Sequence, residues 1–137
     1  MSQKFISFQY PITILEHHLD TFGHVNNATY LALFEEARWE FITSRGFGLD
    51  MVQKSGLGPV ILEINLKFVK ELRLRQKFVI DSQNLSYDKK IAVLRQDILN
   101  EAGEICCAAK MTYALFDTKQ RRLVAPTPEW LRAIGAE

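Results

Sequence analysis

The sequence predicts an α+β fold in which one antiparallel sheet packs against one long helix. Three observations predict it. Apolar residues between 28 and 45 recur at helical spacing. Those between 58 and 117 recur largely at alternate positions. The strand-like runs are separated by short turn sequences. Strands joined so closely pair as an antiparallel meander, and a helix with a wide apolar face needs such a sheet to cover it.

Residues 7–16, SFQYPITILE, read as a first strand, with Pro11 pointing to an edge position or a bulge. A polar stretch fills 17–27. From Ala28 to about Arg45 the stripe Tyr30, Leu33, Phe34, Ala37, Phe41 predicts a helix, and Leu31 and Ile42 widen that face until the helix is largely surrounded by protein. Gly46 and Gly48 end it. Residues 49–56 read as a short helical turn. From Gly58 the period becomes two: Val60, Leu62, Ile64, Leu66 and Phe68 share one face, and Ile61, Glu63, Asn65 and Lys67 the other. Further strands are expected over 73–86, 91–99 and 104–117, with turns at Asp88-Lys89-Lys90 and at 100–103. Ala108 and Ala109 suggest close packing against the helix. Thr127-Pro128-Glu129 has the form of an N-cap, a first-turn proline and a first-turn acid, so a short C-terminal helix follows.

The totals narrow the function. A chain of 137 residues fits a single domain over 1–137, and an apolar content of 47% with 24% charged residues is ordinary for a globular protein. A net charge of +1 argues against a general nucleic-acid binder, which carries a basic stripe. No apolar run approaches the roughly 18 residues of a membrane span, and MSQKFISFQY lacks the apolar core of a signal peptide, so the expected compartment is the cytoplasm. The two cysteines, Cys106 and Cys107, are strand neighbours that point to opposite faces, which predicts reduced thiols, at least one of them buried.

The chemistry concentrates in residues 17–27, HHLDTFGHVNN, which hold all three histidines. Asp20 can act as nucleophile or general base. Gly23 permits a tight turn or a close backbone approach. The run leads into a helix start near Asn27 or Ala28, where unpaired N–H groups and a partial positive charge can polarise a carbonyl oxygen. The same residue types also serve as ordinary caps and turn formers, with Asn27 the expected helix cap; by type alone both readings stand. Glu16, His17, His18, Asp20 and His24 match no structural zinc spacing, and no metal or cofactor is expected.

The motif D-T-F-G-H-V-N-N-A-T-Y-L, ending in F-E-E-A-R, resembles the signature of the 4-hydroxybenzoyl-CoA thioesterase-like hotdog family, whose relatives include acyl-CoA thioesterases encoded with the bacterial Tol–Pal proteins. G-P-V-I-L-E-I-N-L-K-F resembles the family's second strand. The resemblance implies a curved antiparallel sheet wrapped around one helix, and subunits paired edge to edge in a homodimer or homotetramer with active sites at the interface. It implies hydrolysis of an acyl thioester to a free acid and CoA. Asp20 would be nucleophile or general base, Gly23, His24 and Asn27 the loop entering the helix, the N–H groups near Asn27 and Ala28 the oxyanion site, and Tyr30 a first-turn substrate contact. Many members read D-x-D-x-x-G; here the first acid is His18. A parallel branch of the fold uses a glutamate from elsewhere, which brings in Glu63. The alternative is a non-catalytic module that binds acyl-CoA or an acyl carrier. CoA phosphates would call on basic side chains, for which Lys67, Lys70, Arg73, Arg75, Lys89, Lys90, Arg121 and Arg122 are candidates. Glu35 and Arg38, three apart on the helix, are spaced to pair.

Overall fold

A computed structural model describes residues 3–137; Met1 and Ser2, the start of the N-terminal stretch read above, lie outside it. In chain order the elements are β1 (Ser7–Thr13), α1 (Asn27–Ser44), α2 (Leu49–Ser55), β2 (Leu57–Phe68), β3 (Lys77–Asp88), β4 (Ile91–Leu99), β5 (Ile105–Asp117), β6 (Arg122–Val124) and α3 (Pro128–Ala133). The strands form one antiparallel sheet in the order β1-β3-β4-β5-β2, with β6 pairing the end of β5. The buried side chains of α1 (Tyr30, Leu33, Phe34, Ala37, Ile42) join Phe78, Ile80, Leu94, Ile98, Met111 and Leu115 of the sheet in one core. This is the hotdog arrangement. Each fully buried large apolar side chain there contributes roughly 1.5–3 kcal/mol. Among the described residues no helix is long and apolar enough to cross a membrane.

Local chemistry explains the element ends. The Asn26 side chain caps α1, accepting from Ala28 N at 2.9 Å, so the cap is Asn26 and Asn27 is already helical. At the other end Gly46 takes φ +91°, a left-handed conformation, while Phe47 N donates to Ile42 O at 2.8 Å. Thr127 caps α3 by accepting from Trp130 N at 3.1 Å, with Pro128 in the first turn. β1 stops at Thr13 because Glu16–His18 wind into a 3-10 turn. Pro11 sits as expected on an edge strand. β3 starts at Lys77 and not at 73, since Arg75 at φ +64° and the Gln76 N to Arg73 O bond make a turn there. β6 went unread because it is only three residues long, Arg122-Leu123-Val124, too short for apolar alternation to give a signal.

The largest departure from the sequence pattern lies in β2. The register with β5 pairs Ile61 with Tyr113 and Glu63 with Thr112, which leaves Leu62 as the extra residue of a β-bulge. A bulge reverses the alternation. Pro59 and Ile61 face α1 before it; Ile64, Leu66 and Phe68 face α1 after it, opposite Met111, Ala109 and Cys107. Val60 and Leu62 therefore do not share a face with the later apolar residues. Leu62, Ile64 and Phe68 remain 48%, 38% and 51% exposed; the expected half-buried strand is an open sheet edge. Leu31 on α1 is also 38% exposed, so the helix is not surrounded on that side. Of the two small neighbours, Ala109 packs in the core under α1, and Ala108 is on the opposite face beside Asp97 and Lys67.

Cys106 and Cys107 are both free and buried. Burial pushes the Cys107 thiol up to about 11 and raises that of Cys106. Neither thiol is expected to react with a disulfide reagent at pH 8 in the folded protein, whereas both should titrate in denaturant; rapid native labelling would contradict the packing.

Candidate active site

Leu19 and Val25 form an isolated antiparallel bridge that pinches residues 20–24 into a loop just ahead of α1. Within it, Asp20 N donates to His24 O at 2.8 Å and Gly23 N to Asp20 O at 3.0 Å. The Asp20 carboxylate closes the loop from inside: Oδ1 accepts from Phe22 N at 2.9 Å and from His24 N at 3.1 Å. These backbone donors, His24 N first and Phe22 N after it, hold the carboxyl below its ordinary value of 3.8. Asp20 is therefore ionised at neutral pH. Its Oδ2 takes no protein hydrogen bond among the described residues.

Gly23 adopts φ +78°, and a Cβ added there meets nothing within 4 Å. Its value is conformational. Gly23→Ala should lose about 1–2 kcal/mol, read as a lower Tm, together with a larger proportional fall in turnover as the Asp20 loop relaxes. Gly23→Asn should be milder, since asparagine tolerates the left-handed region.

At the helix start, Asn26 Oδ1 occupies the Ala28 N–H, while Thr29 N and Tyr30 N donate to Asn26 O at 2.9 and 3.3 Å. The Asn27 N–H has no partner among the described residues and carries the positive end of the helix dipole. Asn27 is exposed and is not the cap. Tyr30 is 7% exposed and packs edge-on against Phe68 with ring centroids 4.9 Å apart, so it joins β2 to the first turn of α1.

The other candidates separate. His24 is largely exposed, with Nε2 3.9 Å from Glu71 Oε1. His18 is engaged elsewhere: its Nδ1 accepts from Leu15 N at 2.8 Å, and burial lowers its pKa, which favours the neutral ring with the proton on Nε2. Glu63 pairs with Thr112 on the sheet face away from α1, so one chain does not bring it to Asp20. Glu35 and Arg38 form no ion pair; Arg38 Nη1 reaches inward to Gln96 Oε1 at 3.0 Å and Met111 Sδ at 3.1 Å. Gln96 is wholly buried, and its Nε2 donates to Phe34 O and Ser82 Oγ. Among the described residues no group of three or more His, Cys, Asp or Glu side chains is placed to hold a metal ion.

Two anchors define a path from this loop. Tyr30 meets Phe68 at the start of α1. Arg38, Trp39 and Ile42 share a cavity with Ile61 and Pro59 late in α1. β2 thus runs antiparallel beside the helix. Asn27, Leu31, Arg38 and Ile42, at steps of four, seven and four, lie along the helix side that faces it.

The profile of the Thioesterase-like superfamily matches residues 15–134. The chain belongs to the thioesterase-like superfamily. Within this superfamily it is 30% identical over 118 residues to the long-chain acyl-CoA thioesterase FadM of Escherichia coli, a match spanning 85% of this chain and 89% of that one. It superposes on the crystal structure of YbaW, a probable thioesterase from Escherichia coli, with a TM-score of 0.79 at 28% identity, covering 91% of this chain and 94% of that one. A Staphylococcus aureus protein solved in complex with CoA shares the fold at a TM-score of 0.86 and 21% identity, covering 96% and 83% of the two chains.

Sequence reasoning missed the capping role of Asn26 and the inward turn of Arg38. Asn26 was obscured because two asparagines adjoin. Arg38 had a legible signal: it lies four residues after Phe34 and one after Ala37, a charged group on the margin of the apolar stripe.

Proposed function

We propose that the protein hydrolyses acyl-CoA thioesters. The observation that carries this reading is an ionised Asp20 held by its own loop directly ahead of α1, with its Oδ2 and the first N–H of the helix both without a partner among the described residues. The carboxylate attacks the thioester carbonyl or deprotonates the attacking water, and the Asn27 N–H receives the developing oxyanion. With Ala28 N committed to Asn26, a second donor requires either release of that cap or a group from another subunit. Gly23 shapes the loop, and His24 flanks it. The resemblance of this motif to acyl-CoA thioesterases, together with the FadM relationship, supports CoA as the carrier.

The acyl chain lies along the groove between α1 and β2, over Leu31, Ile64 and Leu66. Two copies pair along the free edge of β2, whose exposed Leu62, Ile64 and Phe68 would otherwise face water. The edge pairing covers the groove and places the sites at the subunit interface. The protein works in the cytoplasm, with residues 3–137 folded as one domain.

The test is thiol release from a panel of acyl-CoA substrates of graded length. Turnover of at least one length supports the reading. Tight acyl-CoA binding without thiol release from any member would favour the non-catalytic module instead.

A further inference from the structure

The proposed groove ends at a partly open cavity that a plain hydrocarbon does not match. A cavity of about 130 Å³ lies between α1, the inner face of the sheet and α3, lined on its apolar side by Trp39, Ile42, Ile61 and Leu94. An engineered cavity of roughly 150 Å³ holds one benzene molecule, so this one admits a ring or the last few carbons of a chain. Arg38 also lines it. Ten residues separate Arg38 from Ala28, which is about 15 Å along the helix. A medium-length acyl chain starting at Asn27 reaches the cavity.

The polar groups on its wall are unequal. Tyr113 Oη donates to Asn84 Oδ1, and Asn84 Nδ2 donates to Ile134 O, so that pair is satisfied internally. Arg38 is not. A guanidinium has five N–H donors; here only Nη1 has partners, the Gln96 amide oxygen and the Met111 sulfur, and no carboxylate lies within ion-pair distance among the described residues. A cation drawn under a helix without a counter-ion is expensive to desolvate. Trp130 is 1% exposed and lines the same cavity; among the described residues its Nε1 makes no hydrogen bond of ordinary geometry, although it approaches the Tyr87 hydroxyl. The unmet groups on the cavity wall are thus chiefly the Arg38 donors. The exposed Glu35 carboxylate also lines the cavity and offsets part of the Arg38 charge from beyond ion-pair distance, which makes a neutral oxygen a fitting acceptor.

We propose that this cavity binds the far end of an acyl chain carrying a hydroxyl or keto oxygen, and that the Arg38 guanidinium donates to that oxygen. This rests on the thioesterase reading above and adds the substrate class. Arg38 is a specificity residue, some 15 Å from the reacting carbonyl.

The experiment compares kcat/KM for acyl-CoA pairs of equal length, one plain and one bearing a single hydroxyl or keto group stepped along the chain. In the wild-type protein the oxygenated member should be favoured roughly 10- to 100-fold at one distal position, the size expected for a hydrogen bond to a charged donor. In Arg38→Met that ratio should fall to about one. If Arg38→Met does not fold, the position scan on wild type still decides, because a flat scan overturns the proposal. A ratio unchanged in folded Arg38→Met also overturns it. Affinities of the matched free acids for Asp20→Asn, by calorimetry, read the tail preference without turnover. Preference retained there while wild type cleaves nothing would sustain the tail site and reject the thioesterase; equal affinities would reject the tail site.

Discussion

Asp20→Asn is expected to lower kcat/KM for every acyl-CoA substrate by a factor on the order of 10²–10⁴, the range for loss of a positioned acid–base group, and by more if Asp20 forms a covalent intermediate. The substitution is informative because it is nearly silent structurally. The loop uses Oδ1 as an acceptor for Phe22 N and His24 N, and an asparagine carbonyl oxygen can accept both. The Tm measured at neutral pH should therefore barely move while activity collapses. Turnover near wild type would end the assigned role. The pH profile gives an independent reading. The carboxyl is held below 3.8 and is active as the anion, so the acidic limb of kcat/KM should lie below the ordinary aspartate value. The sign for stability is the same: the contribution of these bonds is complete above 3.8 and is lost as pH falls through the depressed folded value. In Asp20→Asn that part of the acid destabilisation should vanish.

The second large effect concerns α3. Trp130→Ala should destabilise the fold by about 3–5 kcal/mol, read as a fall in the urea midpoint. The indole is 1% exposed and stacks edge-on against Phe47 at 5.0 Å and Tyr113 at 6.4 Å, so its removal leaves a void between α3 and the sheet. Trp130→Phe should be far milder than a buried tryptophan normally suggests. Among the described residues its Nε1 makes no hydrogen bond of ordinary geometry, although it approaches the Tyr87 hydroxyl, so phenylalanine sacrifices packing volume and at most that weak contact. A Trp130→Phe protein as unstable as Trp130→Ala would show that the indole N–H and the Tyr87 hydroxyl form a full hydrogen bond.

The elements most legible in the sequence are those whose signal is local. The α1 stripe, the β4 limits at 91 and 99, and the Thr127-Pro128 start of α3 all depend on neighbours within one or two turns. The Asp20–Gly23 loop was legible for the same reason, since an Asx turn closes over four residues. What the sequence could not carry was relational. Apolar alternation in β2 predicts one face, but the register with β5 places a bulge at Leu62 and divides it. Glu35 and Arg38 are spaced to pair, yet Arg38 turns to Gln96, a residue 58 positions away. The choice between Asn26 and Asn27 as cap depends on backbone angles that two adjacent asparagines do not distinguish.

The bulge at Leu62 also bears on how this chain can change over evolutionary time. Leu62 is the one residue of β2 without a cross-strand partner in β5, and the residues on either side already keep their own pairings. Its deletion would leave Ile61 and Ile64 on the helix side and Glu63 opposite Thr112, with the local kink relaxed. A one-residue gap at this point in an alignment of relatives would therefore be structurally quiet. A gap one strand position beyond the bulge, at Ile64 or Asn65, would instead bring a charged or amide side chain to the α1 side.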